Sequence, residues 1–337
     1  MGLSVFPAVS GGGIGNFTDA GTTAGRPGSP STGATRYNTT LDAWEVYTGT
    51  DWKNLIAAAF PPPSSVDFLV VAGGGSGGYS DGSGGAGAGG YLTSTGVNGG
   101  GGAQLSGATI TPGLSYTVTV GAGAAAVVSA SVQGTKGSNS VFSTLTAIGG
   151  GYGSTYAYTG NGTGSDYYGG VGGSGGGAAG NGVSGIFAGS AGTTNQGYGG
   201  GTNGNLPYRG GSGGGAGAAG GNQGANGGVG LSNSISGSAV FYAGGGGSYD
   251  RPGGTGGGGT GSGGGVTAGT VNTGGGAGCG TGSGTQINNG GSGIVILRHA
   301  TTFQEPESIS AGLTYTRTVV SGNVIFTFTA GTGTVSW

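Results

Sequence analysis

The sequence predicts a chain of β-strands and non-regular, glycine-rich backbone with almost no α-helix. Three observations carry this expectation. Glycine supplies 98 of the 337 residues, against roughly 7% in an average protein. No window repeats apolar residues at the 3.6-residue period of an amphipathic helix, and glycine opposes helix throughout. Short β-branched and aromatic segments bracket the glycine-rich stretch on both sides.

Glycine divides the chain unevenly. Residues 1–72 hold 10 glycines and residues 294–337 hold 4, which leaves 84 for the 221 residues between. That middle stretch carries only six charges: Asp81, Lys136, Asp166, Arg209, Asp250 and Arg251. The expected organisation is an N-terminal β element with a proline-rich linker over 1–64, a glycine-rich domain over 65–299 and a C-terminal β-hairpin over 300–337.

Taken in order, residues up to Gly33 read as a polar, glycine-studded lead-in. Thr35-Arg36-Tyr37, Trp44 to Tyr47 and Trp52 to Leu55 then read as short strands. Asn38-Thr39-Thr40 and Thr48-Gly49-Thr50-Asp51 supply turn chemistry between them. Pro61-Pro62-Pro63-Ser64-Ser65 reads as a stiff linker. The glycine-rich stretch opens with a strand over Val66–Ala72 and closes with another over Gly293–Arg298. Leu114 to Val120 alternates as a half-buried strand does, and Val141 to Ile148 and Ala239 to Tyr242 are further apolar stretches. Leu313 to Val320 and Asn323 to Thr329, joined through Ser321-Gly322, form the expected hairpin.

Fewer than one residue in five is Leu, Ile, Val or Phe, so apolar burial cannot order this chain alone. Each glycine loses about 0.5–1 kcal/mol more than alanine on ordering. The tracts are therefore disordered linkers or are ordered by something only glycine permits. The expectation is polyglycine II, a left-handed helix of three residues per turn without internal hydrogen bonds. Lacking Cβ atoms, such helices can approach and bond to one another in a lattice. An edge helix then tolerates side chains every third residue, as in Tyr168-Gly169-Gly170-Val171-Gly172-Gly173-Ser174. Ser76 to Tyr79, Ala88 to Tyr91, Arg209 to Ser212 and Pro252 to Thr255 share the x-G-G-x spacing, and pure glycine runs such as Gly244–Gly247 and Gly256–Gly259 are expected inside.

Composition also bounds function. The formal net charge is −2 with 8 basic residues, which supplies no basic stripe for nucleic acid. The longest apolar run, Leu55 to Phe60, falls far short of a membrane span, so no membrane insertion is expected. Met1 to Pro7 lacks the basic and apolar regions of a signal peptide, so synthesis in a cytoplasm without export is expected. Gly73, Gly75 and Gly78 follow a strand with the G-x-G-x-x-G spacing, but no helix or later acid completes a dinucleotide site, and no cofactor is expected. Asp166 is a single partial match to a calcium β-roll repeat. Glu305 and Glu307 read as a solvated linker, His299 as a surface residue and Cys279 as a small buried one. The chain is expected not to be an enzyme and to bind no metal.

Twelve of the fifteen tyrosines lie in the glycine-rich stretch, among Ser, Gly, Asn and Thr. That mixture resembles a binding surface of rigid aromatic contacts with adaptable hydrogen-bonding partners. Covering lattice edges is the competing role. The candidate contact residues are Tyr152, Tyr156, Tyr158, Tyr167, Tyr198, Tyr208, Arg209, Tyr249 and Arg251.

An ordered series of motifs carries a family resemblance. It runs from Val66-Asp67-Phe68-Leu69-Val70-Val71-Ala72-Gly73-Gly74-Gly75 through Gly87 to Tyr91, Ile110 to Gly121, Gly137 to Phe142 and Tyr242 to Gly247. Gly290-Gly291-Ser292-Gly293-Ile294-Val295-Ile296 closes it. The series resembles the glycine-rich domain of bacteriophage tail fibres and tail-tip adhesins, and Gly33 to Trp52 resembles a short β element of phage fibres. The resemblance implies a virion protein, a tail fibre or tail tip, that binds a host outer-membrane protein or surface glycan through loops. It also implies contact with other virion tail proteins through residues 1–64 and a homotrimeric fibre. A purely structural virion component is the main alternative, and an ice-binding glycine-rich protein a further one.

Overall fold

The computed structural model describes residues 17–337 except 42, 55–59, 81, 130–131, 156–166, 181–184, 205–208, 262, 264 and 281–287. Met1–Phe60 and Pro61–Trp337 are separate compact units. Among the described residues there is no α-helix, and the two helical segments are three-residue 3-10 turns.

The first unit is a four-stranded sheet of β1 (Phe17–Gly21), β2 (Thr35–Asn38), β3 (Ala43–Tyr47) and β4 (Trp52–Asn54), ordered as in the chain. β1 falls in the expected lead-in and pairs with β2 in parallel. Its sequence, FTDAG, lacks the apolar alternation that reveals a half-buried strand. One face buries a polar cluster in place of an apolar core: Arg36, Asn38 and Glu45 are buried together. The Glu45 carboxylate accepts from Asn38 Nδ2 at 2.8 Å and from the guanidinium of Arg26. The Arg26 hydrogen bond holds that carboxyl below its ordinary range, against the opposing effect of desolvation. The Tyr37 and Trp44 rings meet edge to face at 5.7 Å, and the Arg36 guanidinium sits 5.9 Å from the Trp52 ring centre.

The second unit is framed by one sheet. Its strands are β5 (Ser65–Val71), β6 (Tyr91–Thr93), β7 (Ala108–Thr109), β8 (Ser115–Thr119), β9 (Ser140–Phe142), β10 (Leu145–Ala147), β13 (Ile294–Ala300), β14 (Ser308–Ile309), β15 (Leu313–Val320) and β16 (Asn323–Ser336). A separate small hairpin joins β11 (Leu231–Asn233) to β12 (Val240–Tyr242). The main path runs β10-β9-β8-β16-β13-β5-β6. The bracketing strands pair with each other, with Val70 opposite Val295 and Phe68 opposite Leu297. The glycine-rich stretch thus leaves and re-enters the sheet on adjacent strands. The Gly90 amide bonds to the Ile148 carbonyl at 2.8 Å, which joins the approach to β6 with the exit from β10 and leaves the sheet nearly closed.

The C-terminal hairpin is part of this sheet. Val295 on β13 lies opposite Phe328 on β16, which also pairs with β15. Ser321 and Gly322 both have positive φ, 49° and 76°, as a two-residue type I′ turn requires. β16 runs past the expected Thr329 to Ser336 because its second half pairs with β8, Val335 opposite Tyr116. A register shift at Thr314/Tyr315 and Gly331 at φ 98° mark the bend between its halves.

Apolar residues are few but concentrated in these strands, so a conventional core does form. One face buries Val66, Phe68, Val70, Val295, Leu297, Phe326, Phe328 and Trp337. The other buries Leu69, Val71, Ile294, Ile296 and Ile325 with Ile235 and Tyr242. Asp67 and Arg298, opposite each other on β5 and β13, form an ion pair at 2.7 Å.

Beyond the sheet the glycine tracts bond to one another chiefly through backbone, and a few small polar side chains add bonds, as Ser154 Oγ does to the Gly177 carbonyl and Asn288 Nδ2 to the Gly77 carbonyl. From Gly73 to Gly78, successive amides donate to Ser138, Gly291, Gly87, Thr135, Asn288 and Gly84. The partners rotate among three tracts and return to the same one every third residue. From Gly84 to Gly90 the acceptors are Ser154, Gly211, Ala277, Gly151, Gly214, Gly274 and Ile148, the same three-residue rotation with three other neighbours. Close approach makes this possible: a methyl on Gly74 would overlap the Gly275 carbonyl, and one on Gly213 the Ala86 carbonyl.

The expected three-residue side-chain period holds at Tyr168 and Val171, which are exposed while Gly169, Gly170, Gly172 and Gly173 are buried. It also holds at Pro252 and Thr255. Ala88 and Tyr91, by contrast, are both buried. Interior tracts are not pure glycine either: Ala86, Ala178, Ser76, Ser174 and Ser212 are fully buried. Where the three neighbours leave a gap, a small side chain fits.

Two predictions follow from this packing. Gly172→Ala, whose methyl would overlap the Gly151 amide, should cost about 3 kcal/mol by overpacking. Val171→Ala, one residue away and exposed, should stay within about 0.5 kcal/mol. Urea unfolding of the two variants compares them directly, and equal midpoints would contradict the packing described. The second concerns alkaline pH. Burial pushes the Tyr91 phenol up to about 12, against the lesser effect of a hydrogen bond from Asn233. The folded state therefore holds this proton more tightly than the unfolded chain, whose tyrosines titrate near ~10. Its contribution is complete below about pH 10 and is lost as pH rises toward 12. Tyr91→Phe should remove about 2 kcal/mol of that alkaline loss, read as a flatter stability–pH curve above pH 10.

Candidate functional site

The tracts run alternately away from the sheet and back. At the near end, Ala72 donates to Gly90, Gly89 to Gly274, Gly274 to Ser292 and Ala216 to Ala243. At the far end a second set of bonds links Gly78 to Gly84, Gly84 to Ser154, Ser154 to Gly177, Gly180 to Gly82 and Gly280 to Gly78. The tracts that reach Gly78, Val127, Thr155, Gly180, Asn203, Gly221, Ser248, Gly261 and Gly280 therefore all stop at the far end of the scaffold.

The candidate residues distribute unequally over this frame. Arg209 is half-buried, its side chain packed against Gly224, and the Gly224 amide donates to Gly210 at 3.0 Å. Tyr249 and Arg251 are half-buried on either side of the exposed Asp250, whose φ of 56° turns the chain back. The Arg251 amide closes that turn onto Ser248 at 3.0 Å, and its Nε is buried without a partner among the described residues. These three lie at the far end. Tyr167 is there too but is buried, stacked on Phe187 at 4.8 Å. Tyr152 stands in mid-tract, half-buried, its ring against Gly170. Tyr198 belongs to the near end: its tract follows Gln196, which accepts from Tyr91, and its hydroxyl lies against Gly101. Tyr156, Tyr158 and Tyr208 lie outside the described residues, as do Asp81 and Asp166.

Several features were not legible as site residues. Phe187 makes a second aromatic contact, edge-on to the exposed Tyr168 at 5.6 Å, beside the exposed Ile186. An Ile-Phe pair inside a glycine tract was the available signal. Val128 and Val132 are exposed around a shallow groove of about 180 Å³ formed with Ala126, Val127, Ser129 and Thr135. A second groove of about 220 Å³ lies along the scaffold side between Lys136, Ile148, Val171, Ala191 and Thr193.

Residues read for chemistry take other places. His299 is buried, against the surface position expected, because it continues β13 and stacks on Phe326 at 6.2 Å. Its Nδ1 lies 3.0 Å from the Ala300 carbonyl. Cys279 is buried in the lattice, its amide donating to Gly247 at 3.0 Å. Glu305 is more than a linker residue: both its oxygens accept from the Arg317 guanidinium, which holds the carboxyl below its ordinary range.

Comparison with curated proteins and with solved structures returns no match. The family model described as a glycine-rich domain matches residues 50–300, spanning the first strand bracket, the entire lattice and the closing strand. The chain belongs to the glycine-rich domain family.

Proposed function

We propose that the chain is a bacteriophage tail fibre or tail-tip protein that recognises the host cell surface by non-covalent binding. The observation that carries this reading is that nine tracts of a scaffold held mainly by backbone hydrogen bonds stop together at the end away from the sheet, each followed in the sequence by polar residues. Rigid scaffolds that gather variable loops at one end suit recognition, because the loops can change without disturbing the frame. Arg209, Tyr249 and Arg251 are the contact residues favoured, since they lie at that end and keep part of their surface in solvent. Their partner would be a host outer-membrane protein or a surface glycan, both of which an aromatic surface beside arginine can engage.

We read the tracts themselves as polyglycine II. The three-residue rotation of hydrogen-bond partners and the outward side chains at Tyr168 and Val171 support that reading. Tyr152 and Tyr167, one against Gly170 and the other buried on Phe187, fit edge-covering better than binding. For these two the structural role is the better assignment.

Host adsorption by virions carrying Arg209→Ala, Tyr249→Ala and Arg251→Ala together tests the binding role. The adsorption rate should fall by at least about tenfold, as removal of central aromatic and arginine contacts does elsewhere, while particle yield is unchanged. Normal adsorption by such particles would remove the proposal and favour a purely structural component.

A further inference from the structure

The sheet of the second unit leaves one long edge largely uncovered, approached by the turn at Gly237 at the Val320 end. Among the described residues β15 is hydrogen-bonded on one side only, to β16. Every residue from Thr314 to Val320 is exposed, with Tyr315 at 42%, Val319 at 51% and Val320 at 36%. The segment Thr314-Tyr315-Thr316-Arg317-Thr318-Val319-Val320 is rich in β-branched residues and contains no proline, glycine or lysine. Natural edge strands are usually blunted by such residues, by charge or by a covering segment. The one charge here, Arg317, is already bound by both oxygens of Glu305.

We propose that this edge pairs with the same edge of a second copy of the chain, antiparallel about a two-fold axis through Arg317. The sequence is self-complementary in that register. Tyr315 falls opposite the partner's Val319 and Thr316 opposite the partner's Thr318, each twice over. Aromatic with β-branched and threonine with threonine are favourable cross-strand pairs. Thr314 meets the partner's Val320 at the two ends. Two arginines meet at the centre, where bare like charges would repel. Each arrives with its own glutamate, so the four charges alternate in sign. The outward backbone groups of β15 supply the ladder, and a two-fold contact closes on itself rather than growing into a filament. The contact is independent of the adhesin reading and of any assembly through residues 1–64.

An edge ladder of this length buries less than a standard interface of roughly 1,600 Å², so the association is weak and concentration-dependent. Light scattering after size exclusion of the full chain should show monomer near ~1 µM and dimer near ~100 µM. Thr316→Lys with Thr318→Lys sets lysines opposite each other in both central pairs. It should weaken dimerisation at least tenfold with the thermal midpoint unchanged, since both positions are exposed. Under mild oxidation Arg317→Cys should form a disulfide-linked dimer, whereas Val320→Cys, which faces Thr314 across the ladder, should not. A monomer at every concentration, or equal cross-linking at 317 and 320, overturns the proposal. A dimer that the double lysine variant leaves intact does so as well.

Discussion

The backbone hydrogen bond between glycine tracts is the interaction on which the rest of the second unit depends. Each such bond contributes about 1 kcal/mol net, comparable to the extra entropy a glycine loses on ordering. A single tract beside water would gain too little. An interior tract such as 84–90 donates to three neighbours in turn along its length, and only then do its polar groups find partners away from solvent. The requirement is geometric. Backbones must approach until a methyl would overlap a carbonyl, as at Gly74 and Gly213. Only glycine meets it at such positions, and small residues such as Ala86 or Ser174 fit in the gaps.

The scarcity of charge follows from the same constraint. A charged group inside the lattice would face backbone groups already committed to one another, and burying it unpaired would be costly. Charges consequently stand at the ends and edges, as Arg209, Asp250, Arg251 and Lys136 do. Asp67 and Arg298 pair across the bracketing strands of the sheet instead.

The sheet gives the lattice its beginning and end. β5 and β13 pair register for register across more than two hundred residues of intervening chain, and their alternating faces bury two apolar clusters. Directional hydrogen bonding in the lattice and non-directional burial in the sheet are thus separate sources of order in adjoining regions. The β9–β10 hairpin between them turns at Ser143, φ 56°, without the glycine or asparagine that usually announces such a turn. From sequence, 141–148 therefore reads as one apolar stretch rather than two short strands.

The features legible in the chain were local: the bracketing strands, the Ser321-Gly322 hairpin, the three-residue spacing at Tyr168 and Val171 and, among the described residues, the absence of α-helix. Each depends on residues close together in the chain. β1 escaped because FTDAG has no apolar alternation, and the burial of His299 because its environment comes from β16. Of the candidate contacts, sequence alone could not separate Arg209, Tyr249 and Arg251 at the far end from Tyr198 at the near end, or from Tyr167 under Phe187. Glycine tracts have few side chains by which to specify a neighbour, Ser154 on Gly177 and Asn288 on Gly77 being among them, so their adjacency is encoded mostly in tract lengths and in where the chain must turn. Which tracts touch, at which end each tract stops and which tyrosines stay in solvent emerge only in three dimensions, because backbone groups distant in the chain make most of those contacts.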